Sequence, residues 1–143
     1  MERMSAWFPY AVGAALLYGL HQIFTKLASE RISDGLGGLI VEASAVLTIA
    51  AYLGWLYISG RWTQTWTPLG ATYGVVTGLC VGTGTVLFFL LFQRGGPLSA
   101  VPAILAGGAA LMAAAGIIGF GERPTLLRMI GIVLSVIGLY LVR

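Results

Sequence analysis

Long apolar stretches separated by short polar or turn-forming segments dominate the chain. Five of them are near the roughly 20 residues that an α-helix needs to cross about 30 Å of hydrocarbon. The pattern predicts helices over about 6–28, 36–58, 69–92, 98–120 and 126–142. The first two are joined by the polar segment Ser29 to Gly35, with Ser33 and Asp34 as expected helix caps. Thr67-Pro68 opens the third, Gln93-Arg94-Gly95-Gly96-Pro97 turns the chain into the fourth, and Gly121-Glu122-Arg123-Pro124-Thr125 turns it into the fifth. Pro9 and Pro102 fall near helix starts, where proline is tolerated without a kink.

A transmembrane β-barrel would show about ten-residue segments alternating apolar and polar positions, whereas Leu98 to Ile118 is nearly continuously apolar. The expected fold class is therefore all-α: a polytopic membrane protein with five transmembrane helices in one domain over 1–143. The first stretch is not read as a secretion signal, because it is too long, contains His21, Gln22 and Lys26, and lacks a small-residue cleavage site. Aromatic residues cluster near several predicted ends, as Trp7 with Phe8 and Tyr10, Trp55 with Tyr57, Trp62 with Trp66, and Tyr140. They fit interfacial belts, with substrate contact the lesser alternative.

Composition strengthens this picture, since 58% of the 143 residues are hydrophobic and only 9% are charged. An average soluble domain is roughly a quarter charged. The net charge of +3 comes from basic residues scattered singly, which mark loops and not a nucleic-acid patch. Cys80 is the only cysteine, which excludes an intrachain disulfide and a cysteine zinc cluster. With one histidine, no nucleophile near a base, and no phosphate loop or metal-ligand spacing, no enzyme, cofactor or metal is expected.

Charge placement also bears on orientation. Five crossings put Arg3, Arg61, Arg123 and Arg128 on one side and Lys26, Arg31, Arg94 and Arg143 on the other. Orientation follows an excess of basic residues on the cytoplasmic side, so a four-to-four balance gives little instruction. Dual topology, with two copies paired antiparallel as an inverted repeat, is one reading; the other is a chance balance in a small count, or a first helix that alone decides orientation.

Polar residues within the spans locate the candidate site. Tyr18, His21, Gln22, Thr25 and Lys26 recur at spacings of three and four and share one face of the first helix. Ionisable groups at membrane depth face a cavity or each other, where they bind substrate, relay protons or pair. Tyr18, His21, Gln22 and Glu42 are the predicted substrate-binding residues, with His21 as a proton acceptor and Glu42 as a partner for a cation. The alternatives are structural: His21 hydrogen-bonded to a neighbouring helix, Lys26 snorkelling to the interface, and an ion pair between Lys26 and Glu42. Gly70, Gly74, Gly78 and Gly82 repeat every four residues, as do Ala103 and Gly107, while Gly131, Ser135 and Gly138 give the fifth helix a small face. Such faces permit close helix packing or a dimer seam.

The stretch Gly95-Gly96-Pro97-Leu98-Ser99-Ala100-Val101, the turn Gly121-Glu122-Arg123-Pro124-Thr125, the glycine-bearing last helix, and Gly13, Tyr18 and Lys26 in the first resemble the EamA-type domain of the drug/metabolite transporter superfamily. The resemblance covers nearly the whole chain. It departs from that pattern at Gly107-Gly108-Ala109, where the family has a proline. It is similar to the four-helix small multidrug resistance proteins in the last helix only, because His21 and Gln22 occupy the depth of their glutamate. The resemblance implies half of a ten-helix inverted-repeat transporter: a homodimeric carrier of small organic metabolites or drugs, working by alternating access in a prokaryotic inner membrane. A lipid or lipid-linked sugar flippase subunit and a non-transporting assembly partner are the alternatives.

Overall fold

The computed structural model describes residues 7–123 and 125–141. Arg3, Pro124 and Arg143, and the expected helix ends at Ala6 and Val142, lie outside the described residues. The described residues form α1 (Phe8–Ser29), α2 (Asp34–Ile58), α3 (Pro68–Gln93), a 3-10 turn (Leu98–Ala100), α4 (Val101–Gly119) and α5 (Leu126–Leu141). No strand occurs among them. Observed helix bounds fall within three residues of the hydropathy pattern, because caps and turns, not hydropathy, set the last residue of each helix.

Local chemistry explains those ends. Pro9, Pro68 and Pro102 occupy the first turns of α1, α3 and α4, where a missing N–H costs nothing. The Thr67 hydroxyl caps α3 by accepting from the Gly70 N–H at 3.1 Å. Ser33 takes the N-cap position of α2 without a side-chain bond, and Asp34, in its first turn, places a carboxylate at the positive end of the helix. At the other end of α2, Gly60 (φ 67°) and Arg61 return their N–H groups to Tyr57 and Leu56 in a Schellman arrangement. Gly95 (φ 85°) and Gly121 (φ 64°) adopt the same left-handed backbone beyond α3 and α4.

Three segments are long and apolar enough to cross a membrane: Asp34–Ile58, Pro68–Gln93 and Leu98–Gly119. The helix α1 has 22 residues but is the least apolar of the five, and the described part of α5 is 16 residues. Large apolar side chains stand exposed along the helices, among them Leu47, Leu79, Leu111 and Ile118, whereas the chain's own buried apolar core is small. Apolar helices this exposed need hydrocarbon as solvent, and the protein is an all-α integral membrane protein.

The chain divides into two compact units, residues 1–95 and 96–143. In the first, α1, α2 and α3 pack together, and their buried residues concentrate where the C-terminal halves of α1 and α3 meet the start of α2. Gly37 is the fulcrum of that core. A Cβ on Gly37 would overlap the Phe89 ring, which is fully buried, and one on Gly38 would lie 3.2 Å from Val86. Two glycines thus let α3 press a phenylalanine onto the α2 backbone.

In the second unit α4 and α5 form a packed hairpin. The Glu122 N–H returns to the Gly116 carbonyl at 3.0 Å, and its carboxylate meets Arg128 at 3.3 Å. The Thr125 hydroxyl accepts from the Arg128 N–H at 3.3 Å, capping α5. Gly121, Glu122 and Thr125 therefore contribute a left-handed glycine, an ion pair and a cap between α4 and α5.

The repeating glycines lie elsewhere. A Cβ on Gly74, Gly78, Gly82, Gly131 or Gly138 would meet nothing within 4 Å, and Ser135 is half-buried. Within its own unit, neither small face is in use against a neighbouring helix among the described residues.

Candidate functional site

Thr25, Gln22 and Ser29 form the buried edge of α1, following each other by three and four residues. Short hydroxyls at such positions reach back to their own helix. Thr25 Oγ1 donates to the His21 carbonyl at 2.8 Å and Ser29 Oγ to the Lys26 carbonyl at 2.7 Å. Gln22 is only 8% exposed, and its Oε1 is buried with no hydrogen-bond partner. The Nδ1 of His21 is also buried without one. Two adjacent residues thus keep unpaired polar atoms where most buried polar groups are satisfied.

The polar face expected of α1 is split in two. Gln22 and Thr25 are buried, whereas Tyr18 is 67% exposed and sets its ring edge-on to the half-buried His21 imidazole, centroids 6.4 Å apart. Tyr18 and His21, with Leu17, line a groove of about 480 Å³ closed on its other side by Ala45, Thr48 and Ile49 of α2. The Thr48 hydroxyl donates to the Ser44 carbonyl at 2.9 Å, so its proton is committed to its own helix. No charged side chain lines the groove.

Lys26 and Glu42, the ion pair considered from the sequence, each have a partner, though not each other. Lys26 Nζ lies 3.4 Å from Glu30, the C-cap residue just beyond α1, and 5.6 Å over the Phe92 ring of α3. Glu42 Oε1 accepts from Thr85 Oγ1 of α3 at 2.7 Å, and that hydroxyl also lies 3.0 Å from the Val81 carbonyl. No Lys26–Glu42 ion pair is found among the described residues. The i,i+4 partner is reached with less side-chain ordering than one across helices. At the same end of the unit, Gln93 Nε2 donates to the Ile32 carbonyl at 3.0 Å, tying the end of α3 to the α1–α2 connection.

The structure therefore brings Tyr18 and His21 together on the groove wall, buries Gln22 beside them, and sets Glu42 one helical turn from Ala45. Thr85, Thr48, Gly37 and Phe89 carry no separate signal in a hydropathy pattern. The clue to Thr85 was the need of an intramembrane carboxyl for a donor, and the clue to Gly37 was the Gly-Leu-Gly-Gly run at 35–38.

Aromatic residues in the last turn of α2 and just after it make a second cluster. Arg61 lies 5.5 Å over the Trp55 ring, and Tyr57 meets Trp62 edge-on at 6.2 Å. Amphipathic rings beside a cation suit a membrane interface.

What the fold and the groove define is an all-α integral membrane protein with a small, uncharged cleft between two helices. No family model, curated protein or solved structure matches the chain.

Proposed function

We propose that this protein is a secondary transporter of small organic molecules, built on the EamA-type plan, with five spans per chain and two chains per working unit. The observation that carries the proposal is the α1–α2 groove, where Tyr18 and His21 of α1 face Ala45, Thr48 and Ile49 of α2 across an uncharged cleft. Helices pay for such polar groups at membrane depth where a ligand or coupling ion uses them. Tyr18 and His21 contact the substrate, Gln22 supplies a further acceptor, and Glu42, held by Thr85, is the carboxyl one turn from the groove. The pairing of two chains is supported by the glycine faces of α3 and α5, which have open space around them. Antiparallel pairing follows the balanced loop charge and generates an inverted repeat of the kind many alternating-access carriers contain. A prokaryotic inner membrane is the proposed location, and no chemical conversion accompanies transport.

The test is flux through the full chain in proteoliposomes, using a panel of labelled small amines, amides and carboxylic acids with and without a proton gradient. Saturable uptake above protein-free vesicles is the expected result, and uptake equal to empty vesicles across the panel overturns the carrier reading. Wild-type rates after His21→Ala would remove the histidine from the coupling step.

One observation favours a second reading, a lipid flippase subunit. Leu17 and Tyr18 of the groove wall are 69% and 67% exposed, so the cleft opens sideways. Scrambling of fluorescent phospholipid in the same vesicles, faster than in protein-free ones, would favour it over the carrier.

A further inference from the structure

One hydroxyl between α2 and α3 has two oxygens within bonding distance. Thr85 Oγ1 lies 2.7 Å from Glu42 Oε1 and 3.0 Å from the Val81 carbonyl. A hydroxyl has one proton to donate and lone pairs to accept another, whereas an ionised carboxylate only accepts. With Glu42 ionised, the single threonine proton is divided between two acceptors. With a proton on Glu42, the acid O–H donates to Thr85 Oγ1, and the threonine proton goes whole to Val81. The same heavy-atom positions serve both charge states, so gaining or losing a proton requires no movement of either helix.

The helices packed against α2 bring no counter-ion to this carboxyl. On α1, Lys26 pairs with Glu30 at 3.4 Å, and the titratable residues of α3, Tyr73 and Cys80, are not cations. No ion pair to Glu42 occurs among the described residues. His21 of α1 is the other candidate proton acceptor. An imidazolium donates from both ring nitrogens, however, and the His21 Nδ1 is buried with nothing to receive its N–H. A charged donor left unpaired there is costly. Glu42 is half-buried, so a proton can reach and leave it, while Thr85 at 5% exposure is fixed in the packing. Carboxyls at membrane depth mark ion paths and proton relays.

We infer that Glu42 is a proton-binding site: its carboxylate takes one proton from water, and the Thr85 hydroxyl turns from donor to acceptor. Ala45 of the groove wall follows Glu42 by three residues, which sets the proton within one helical turn of a solute in the groove. That use of the proton, driving a second solute, rests on the carrier reading, but proton binding is tested apart from transport.

Infrared difference spectra of the full chain in lipid vesicles, acid minus alkaline, read the C=O band of a protonated carboxyl. A band that is lost in Glu42→Gln is expected. Thr85→Val should move it to higher frequency, because the acid O–H loses its acceptor. Thr85→Ser should restore it, and His21→Ala should leave it in place, a pattern that misfolding does not produce. Identical spectra for the wild type and Glu42→Gln, or an unshifted band in Thr85→Val, overturn the inference.

Flux of the same labelled panel in proteoliposomes separates the two readings. Glu42→Gln should lose proton-driven accumulation and keep exchange of labelled for unlabelled solute at equal pH on both sides. Accumulation undiminished in that variant overturns the coupling role and leaves the carrier. The expected band pattern with no flux of any compound through the wild type supports the proton site and removes the carrier.

Discussion

Thr85 Oγ1 of α3 lies 2.7 Å from Glu42 Oε1 of α2, a side-chain bond spanning two helices beside the Gly37–Phe89 contact. Thr85 is 5% exposed and Glu42 half-buried, so the carboxyl has limited access to other donors. Thr85→Val keeps the shape and removes the donor. It should destabilise the protein by about 1–3 kcal/mol, the cost of leaving a buried acceptor unpaired. Thermal unfolding of the purified protein in detergent measures it. Glu42→Gln retains an acceptor oxygen and should cost less; the opposite order would mean that the bond contributes nothing.

The glycines divide into two functional kinds. Gly37→Ala places a methyl group against the Phe89 ring and should cost about 1–3 kcal/mol, as overpacking does. Gly78→Ala, where a Cβ meets open space, should leave unfolding of the single chain unchanged. The larger Gly78→Leu should break the dimer if α3 forms its seam, which crosslinking in native membranes reports. Dimer intact in that variant would move the seam away from this face.

Gln22 predicts a trade between stability and use. Its amide oxygen is buried and unpaired, so Gln22→Leu removes a polar group that gains nothing in the empty protein. Replacing such a group by an apolar one of similar shape is neutral or stabilising. The variant should therefore unfold at the same or higher temperature while losing transport. A large fall in unfolding temperature would show that Gln22 is structural.

The orientation proposal has its own readout. Fusing a periplasm-active and a cytoplasm-active reporter, separately, to the C-terminus should give signal from both in cells, because four basic residues stand on each side of the five proposed spans. Adding two lysines to the segment after Arg61 should bias all copies one way. Signal from one side only in the unaltered protein removes dual topology.

The helices and their punctuation were legible in the chain itself. Backbone groups in hydrocarbon must bond within their own segment, so an apolar run near 20 residues long is committed to helix by local physics. The ends at Thr67-Pro68, Gly95 and Gly121 were legible for the same reason, because these residues act through φ and capping within a few residues. The polar stretch of α1 also announced itself, since Tyr18, His21 and Gln22 interrupt an otherwise apolar segment.

Pairings between helices were not legible. Lys26 could reach Glu30 or Glu42 by sequence spacing and helix direction alike, and only the packing of α1 against α3, with Phe92 beneath the ammonium, sets it at Glu30. The glycine repeat of α3 looked like the packing surface, yet Gly37 and Gly38 of α2 make the close approach. Hydropathy determines which segments leave water and where each begins and ends, because those terms are local to one helix. Which face meets which neighbour depends on rotation and register between helices. Lipid is as apolar as leucine, so those are chosen by the fit of one ring over one glycine and by which carboxyl a threonine can reach, quantities that exist only once the helices are packed.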